Sequence, residues 1–275
     1  MLFFNRKFLV GSSIILLFIV VAIIGLTVTP QDLRRAGAMP PRLPPGVGGL
    51  LGTDSLGRSV TLQISEATLK SLQVGLIAAT LGTVLGAVLG FTSGYFGSWV
   101  DALLRVLIDV FLSVPSLLFL ILIAALVRGV DVPVMAIIIG AFAWASPARQ
   151  SRAQVLSLKE REFVRLAHLS GLSNFQIIFG ELIPNMLPWL GANFVNAFLS
   201  AVLAESGLSL LGLGPQREMT LGMMIYWALS YGAILQNLWW WWLIPVVVLM
   251  CLFLSLYLVH LGFDEVSNPR LQQAA

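Results

Sequence analysis

The sequence predicts an all-α polytopic membrane protein with six transmembrane helices, and three observations lead there. Of 275 residues, 58% are hydrophobic and 11% are charged, against about 25% charged in a soluble domain. Mean hydropathy is +0.92, which belongs to integral membrane proteins. Six apolar segments, at about 8–29, 71–93, 103–127, 133–148, 186–211 and 240–262, approach the roughly 20 residues that a spanning helix needs. Between the fourth and the fifth, one polar stretch at 149–185 interrupts the apolar pattern.

Taken in order, these segments divide the chain into an N-terminal transmembrane helix (1–29), an outer loop (30–70), a five-helix core (71–263) and a tail (264–275). Phe8 to Thr29 follows Arg6-Lys7 and is too long for the roughly 7–15 apolar residues of a cleaved signal. Ala36-Gly37-Ala38 imitates a cleavage site but lies past two arginines, so an uncleaved first span is expected. Arg6 and Lys7 place the N-terminus in the cytoplasm. Six spans return the C-terminus there and put 149–185, with Arg149, Arg152, Lys159, Arg161 and Arg165, on the same side. The outer loop carries Arg34, Arg35, Arg42, Arg58 and Lys70, against the usual charge asymmetry.

The second span holds Ala78, Gly82, Gly86, Gly90 and Gly94 at four-residue spacing, a ladder that lets another backbone approach. Pro115 should kink the third span. The fourth is short and should continue as helix into the polar stretch. Segment 212–239 is too broken to span and reads as an outer-surface or re-entrant helix. The quartet Trp239 to Trp242 suits an interfacial belt better than a carbohydrate platform. Cys251, the single cysteine, excludes an internal disulfide and is expected as a buried, inert thiol.

Several chemistries are disfavoured. Gly52-Thr-Asp-Ser-Leu-Gly57-Arg58-Ser59 nearly fits a phosphate-binding loop, but arginine replaces the lysine and no strand precedes it. His168 and His260 have no ligand-spaced partners, which argues against a metal centre or a serine hydrolase. The pI near 9.4 does not imply nucleic acid, because the basic residues are scattered and accompanied by acidic ones. Asp109 and Glu205 are carboxylates inside spans, where a charge defaults to a water path or an interior polar contact. Arg105, one turn before Asp109, offers a same-helix ion pair. Glu205 lacks a local partner and is expected to make an interior contact, possible across a subunit boundary.

The polar stretch itself alternates apolar Val155, Leu158, Phe163, Leu166, Ala167 and Leu169 with charges at helical spacing. Gly171 and Ser173-Asn174 mark a turn before a second helix, and Pro184 and Pro188 mark entry to the fifth span. Near balance of charge around Lys159-Glu160-Arg161-Glu162 favours docking on a protein over lying on anionic lipid.

These residues resemble the inner-membrane permease subunits of prokaryotic ABC importers, in the dipeptide, oligopeptide and nickel branch. The similarity covers nearly the whole chain. It runs through Leu51–Arg58, Gly94–Asp101, Asp109–Leu118, Ala204–Gly214 and Asn268-Pro269-Arg270-Leu271. Leu158–Val164, Ala167, Gly171, Ile177-Ile178 and Pro184-Asn185 are similar to the family's coupling motif. In this chain the motif's glutamate falls at Arg165, its first alanine at Leu166, and a frequent histidine at Glu181. An arginine there calls for an acidic partner surface.

The resemblance implies a cytoplasmic coupling helix between the fourth and fifth spans, with Arg161, Glu162, Arg165, Ala167, Gly171, Pro184 and Asn185 meeting an ATPase. It implies a homologous second permease, two ATP-binding cassette ATPases that bind ATP and Mg, and an extracytoplasmic substrate-binding protein. No catalytic residue, cofactor or metal is expected in this chain. Asp109 and Glu205 are candidates for the path or the polar interior, and Gly82, Gly86 and Gly90 for helix packing. Peptides are the expected cargo, with oligosaccharides or nickel chelates as alternatives. A self-contained secondary transporter or channel is disfavoured by the lack of an inverted repeat, and a membrane enzyme by the lack of converging catalytic groups.

Overall fold

The computed structural model describes residues 5–127 and 129–267, so the tail motif Asn268–Leu271 lies outside the described residues. The helices are α1 (Arg6–Val28), α2 (Val60–Phe96), α3 (Ser98–Ser113), α4 (Ser116–Leu126), α5 (Val132–Phe142), α6 (Ala145–Lys159), α7 (Glu162–Leu169), α8 (Asn174–Ile177), α9 (Ile183–Leu210), α10 (Leu221–Ser230) and α11 (Trp239–Ser267). A π turn at Ile178–Leu182 joins α8 to α9. By length and composition, four helices can cross a membrane: α1, α2, the run from α8 through α9, and α11. Counting the bent pairs α3–α4 and α5–α6 as one span each makes six.

Helix α2 is the spine of the bundle. Its Val60, Ile64 and Ala67 pack with α10 and α11, its Val74 and Ala78 with α5 and α9, and its Phe91 and Tyr95 with the 155–186 region. It runs 37 residues and begins at Val60, eleven residues before the apolar segment that marks it in the sequence. Those first turns are polar, yet Ser65 and Thr68 donate to carbonyls one turn back, which removes the cost of burying them. Ser59 caps the start.

The preceding loop folds around Asp54, whose fully buried carboxylate accepts from Arg58 Nε at 2.6 Å and Gln63 Nε2 at 2.9 Å. Residues Gly52–Ser59 therefore build an acid-centred turn rather than a phosphate cradle. Of the cations that the sequence assigned to the outer loop, Arg58, Arg34 and Lys70 pair with Asp54, Glu66 and Glu218, Lys70 doing so from within α2.

Two spans break rather than bend gently. At Val114-Pro115 the turn is 75°, and at Ala143-Trp144 it is 44°. In the second case Pro147 explains the break, because its ring opposes the carbonyl of Ala143 one turn earlier. The fifth-span helix starts at Asn174, well before Pro184. The π turn just before Pro184 absorbs its missing N–H without ending the helix.

The tryptophan quartet departs from the belt expectation. Trp241 is fully buried, and Trp240 is nearly so, donating from Nε1 to Thr53 O at 3.1 Å. Only Trp239 among them is an exposed large side chain. Helix α10 and the 31–59 loop roof this end of the bundle, and the indoles fill the space beneath. Helix α10 is likewise not a surface helix, since Met223 and Met224 are fully buried. Cys251 is half-buried rather than enclosed.

Helices α1 and α11 pack side by side, and Lys7 pairs with Glu265, which brings the two ends of the described chain together. Phe263 also lies against Gly191, near the start of α9, so these ends share the side that holds α7.

The glycine ladder faces α6. A Cβ at Gly82 would meet Ala143, at Gly86 would lie 2.6 Å from Pro147 Cβ, and at Gly90 2.5 Å from Ala148 O. Gly90→Leu should cost about 1–3 kcal/mol through overpacking and lower the melting temperature in detergent. Gly207→Ala, with open space around it, should leave the melting temperature unchanged or slightly raised.

Candidate functional site

The polar stretch is two helices and a return. Helix α6 ends at Lys159, the chain extends through Arg161, and α7 begins at Glu162, whose charge suits a helix N-terminus. Val164 and Ala167 of α7 face inward onto Tyr95, Ile177 and Leu182. Leu166 and Leu169 point away from the bundle, the latter 84% exposed, and Phe175 and Phe179 stack on each other at the surface.

Gly171 closes α7. Its φ of 77° lets its N–H reach His168 O, while Leu172 N–H reaches Ala167 O, the two bonds of a glycine-terminated helix. Ser173 and Gln176 then cap each other at the start of the return helix. Asn185 Nδ2 donates to Glu181 O at 2.7 Å, beside Pro184 on α9.

This loop is braced against the end of α2. Lys159 Nζ donates to Tyr95 O at 2.9 Å, and Tyr95 Oη donates to Asn174 Oδ1 at 3.0 Å. Arg152 grips Asp101 with two bonds, Nε to Oδ1 at 2.5 Å and Nη2 to Oδ2 at 2.7 Å. A bidentate, partly buried pair of this kind holds orientation better than a surface ion pair. These anchors were not singled out from sequence, because nothing local links residues 95 and 101 to 152 and 159. Arg165 meets Glu160 of its own chain at 3.3 Å, both well exposed, so an acidic neighbour is already at hand.

The interior carboxylates separate. Glu205 is completely buried, accepting at 2.6 Å from both Ser209 Oγ and Thr220 Oγ1. Ser71 and Ser206 hydroxyls stand at 3.4 and 3.5 Å from its other oxygen. Ser71 also accepts from Leu221 N–H, so one carboxylate ties α2, α9 and the start of α10 within a single chain.

Asp109 is not interior. It pairs with Arg149 across α3 and α6 at 2.5 Å rather than with Arg105, and the two side chains are 54% and 57% exposed. Neither carboxylate lines the cavity of about 380 Å³ that lies between the two span breaks and α9.

A helical bundle that breaks two spans around a polar cavity and holds a braced amphipathic loop at one end has the build of a membrane transport subunit. The chain belongs to the family of binding-protein-dependent transport system inner membrane components, whose model matches residues 82–273. The dipeptide transport system permease protein DppC of Bacillus subtilis (strain 168) is 30% identical over 98% of this chain and 83% of its own length. The oligopeptide transport system permease protein OppC of Haemophilus influenzae is 34% identical over 86% of this chain and 73% of its own. A solved structure of the MetNI methionine ABC transporter, in inward-facing conformations, shares the fold. Its TM-score is 0.56 over 74% of this chain and 94% of that chain, at 18% identity.

Arg152→Ala should loosen the brace, seen as faster hydrogen–deuterium exchange at 162–169 with α9 and α11 unchanged. Glu205→Ala strands several buried hydroxyls and should cost about 1–3 kcal/mol, read as a lower melting temperature.

Proposed function

We propose that this chain is the permease subunit of an ATP-driven importer of peptides, with six spans and both termini in the cytoplasm. It pairs with a homologous permease and receives solute from an extracytoplasmic binding protein. Two ATPase subunits bind ATP and Mg and grip the α7 loop; this chain performs no catalysis. The observation that carries the reading is the outward face of α7. Leu166 and Leu169 stand exposed beside Arg161, Glu162 and Arg165, on a loop whose other face is clamped to α2.

An exposed apolar cluster on a polar loop marks a docking surface, and its mixed charges give a protein partner more purchase than lipid. Closure of the ATPases pulls α7, and through Lys159–Tyr95 and Arg152–Asp101 the pull reaches α2, α3 and α6 as one body. Relatives named for dipeptide and oligopeptide transport support peptides as the cargo.

Purification in mild detergent should bring ATPase subunits with this chain. Gly171→Leu forces a left-handed backbone on leucine, costing about 1–2 kcal/mol, and should cut uptake roughly tenfold while hydrolysis and membrane insertion continue. Arg161→Glu should also separate hydrolysis from uptake. Normal coupling in both variants refutes the docking role.

A further inference from the structure

We infer that the cavity between the two span breaks and α9 is the solute-conducting surface contributed by this chain, and that it handles short peptides with neutral side chains. This rests on the transport reading above and names where, and with what chemistry, the solute is met. The cavity measures about 380 Å³, within the roughly 300–1,000 Å³ of small-molecule sites. Its walls include Ser116 after the first break, Ser146 and Gln150 of α6, and Asn193, Asn196 and Ser200 of α9.

The spacing is periodic. Asn193, Asn196 and Ser200 recur at three and four residues and Ser146 and Gln150 at four, so each helix turns one polar stripe toward the same space. Elsewhere α9 packs apolar faces on α2 and α11.

Backbone physics points to water in the cavity. At membrane depth, interrupted helices survive only where they are covered by protein or line a wet cavity. Val114, Pro115 and Ser116 at one break, and Phe142 and Ala143 at the other, all line this one. The Asp109–Arg149 pair stands on the same two helices, more than half exposed, which hydrocarbon would penalise heavily. Around this pair the bundle therefore meets water or another polar surface, not lipid tails.

The lining also selects. None of the cavity's wall residues is formally charged. Amides and hydroxyls both donate and accept, matching the alternating donors and acceptors of a peptide backbone. An adjoining apolar pocket of about 290 Å³ shares Phe111, Val114 and Phe142 and adds Phe119, which gives room for an apolar side chain.

The test uses the assembled complex in native membrane vesicles, with Cys251→Ser as background. Ser200→Cys and Asn196→Cys are compared with Leu16→Cys on the outward face of α1, using a membrane-impermeant cationic methanethiosulfonate. The two cavity positions should react at least roughly fiftyfold faster than position 16, since the charged reagent is excluded from hydrocarbon. Equal rates at all three positions overturn the assignment. Trialanine should slow modification of Ser200→Cys while maltotriose does not; equal or absent protection overturns the peptide chemistry. ATPase co-purification with unreactive cavity cysteines removes only this inference. Reactive cysteines in a chain that binds no ATPase remove only the importer reading.

Discussion

The close approach of α6 to α2 is the constraint on which the rest of this structure depends. Gly86, Gly90 and Gly94 leave no side chain between the two helices, so α6 lies against the α2 backbone at each of them, and Gly82 admits Ala143 just before α6 begins. Packing attraction falls steeply with distance, and within a membrane it is not supplemented by a hydrophobic driving force between helices. Both ends of the seam have consequences. At one end α6 starts at the Ala143-Trp144 break and opens the cavity, while at the other it delivers the chain into α7.

That geometry makes the α7 loop an extension of the bundle and not a tether. Lysine, arginine and tyrosine side chains that look like solvated surface in sequence are spent on Tyr95 O, Asp101 and Asn174. What remains outward on α7 is short, apolar and flanked by both signs of charge. The inner residues Val164 and Ala167 pack directly against Tyr95 of α2, so α7 meets the spine of the bundle through side-chain contacts.

The polar interior is treated in two different ways. Glu205 is enclosed by hydroxyls from three helices and serves to hold α9 and α10 on α2. Asp109 and Arg149 are left partly open, next to neutral groups that line a cavity. An enclosed carboxylate specifies how helices pack because each of its hydroxyl partners must be present; an open pair tolerates water and movement.

The sequence by itself determined the class: apolar length set the spans, four-residue glycine spacing set a packing face, and the motif around Ala167 and Gly171 set the family. It also located the turn at Gly171, because a left-handed residue at a helix end is a local requirement. Tertiary structure decided what depends on distant partners. Asp109 turned to Arg149 instead of Arg105, Trp240 and Trp241 went under a roof instead of to an interface, and α2 began at Val60 because Asp54, Ser59 and α10 cover its polar first turns. The α9 stripe of Asn193, Asn196 and Ser200 was legible as a period but not as a wall, since a wall needs the breaks at Pro115 and Ala143 to face it. Periodicity and capping act over a few residues, whereas burial and pairing are set by chain segments tens to hundreds of positions away.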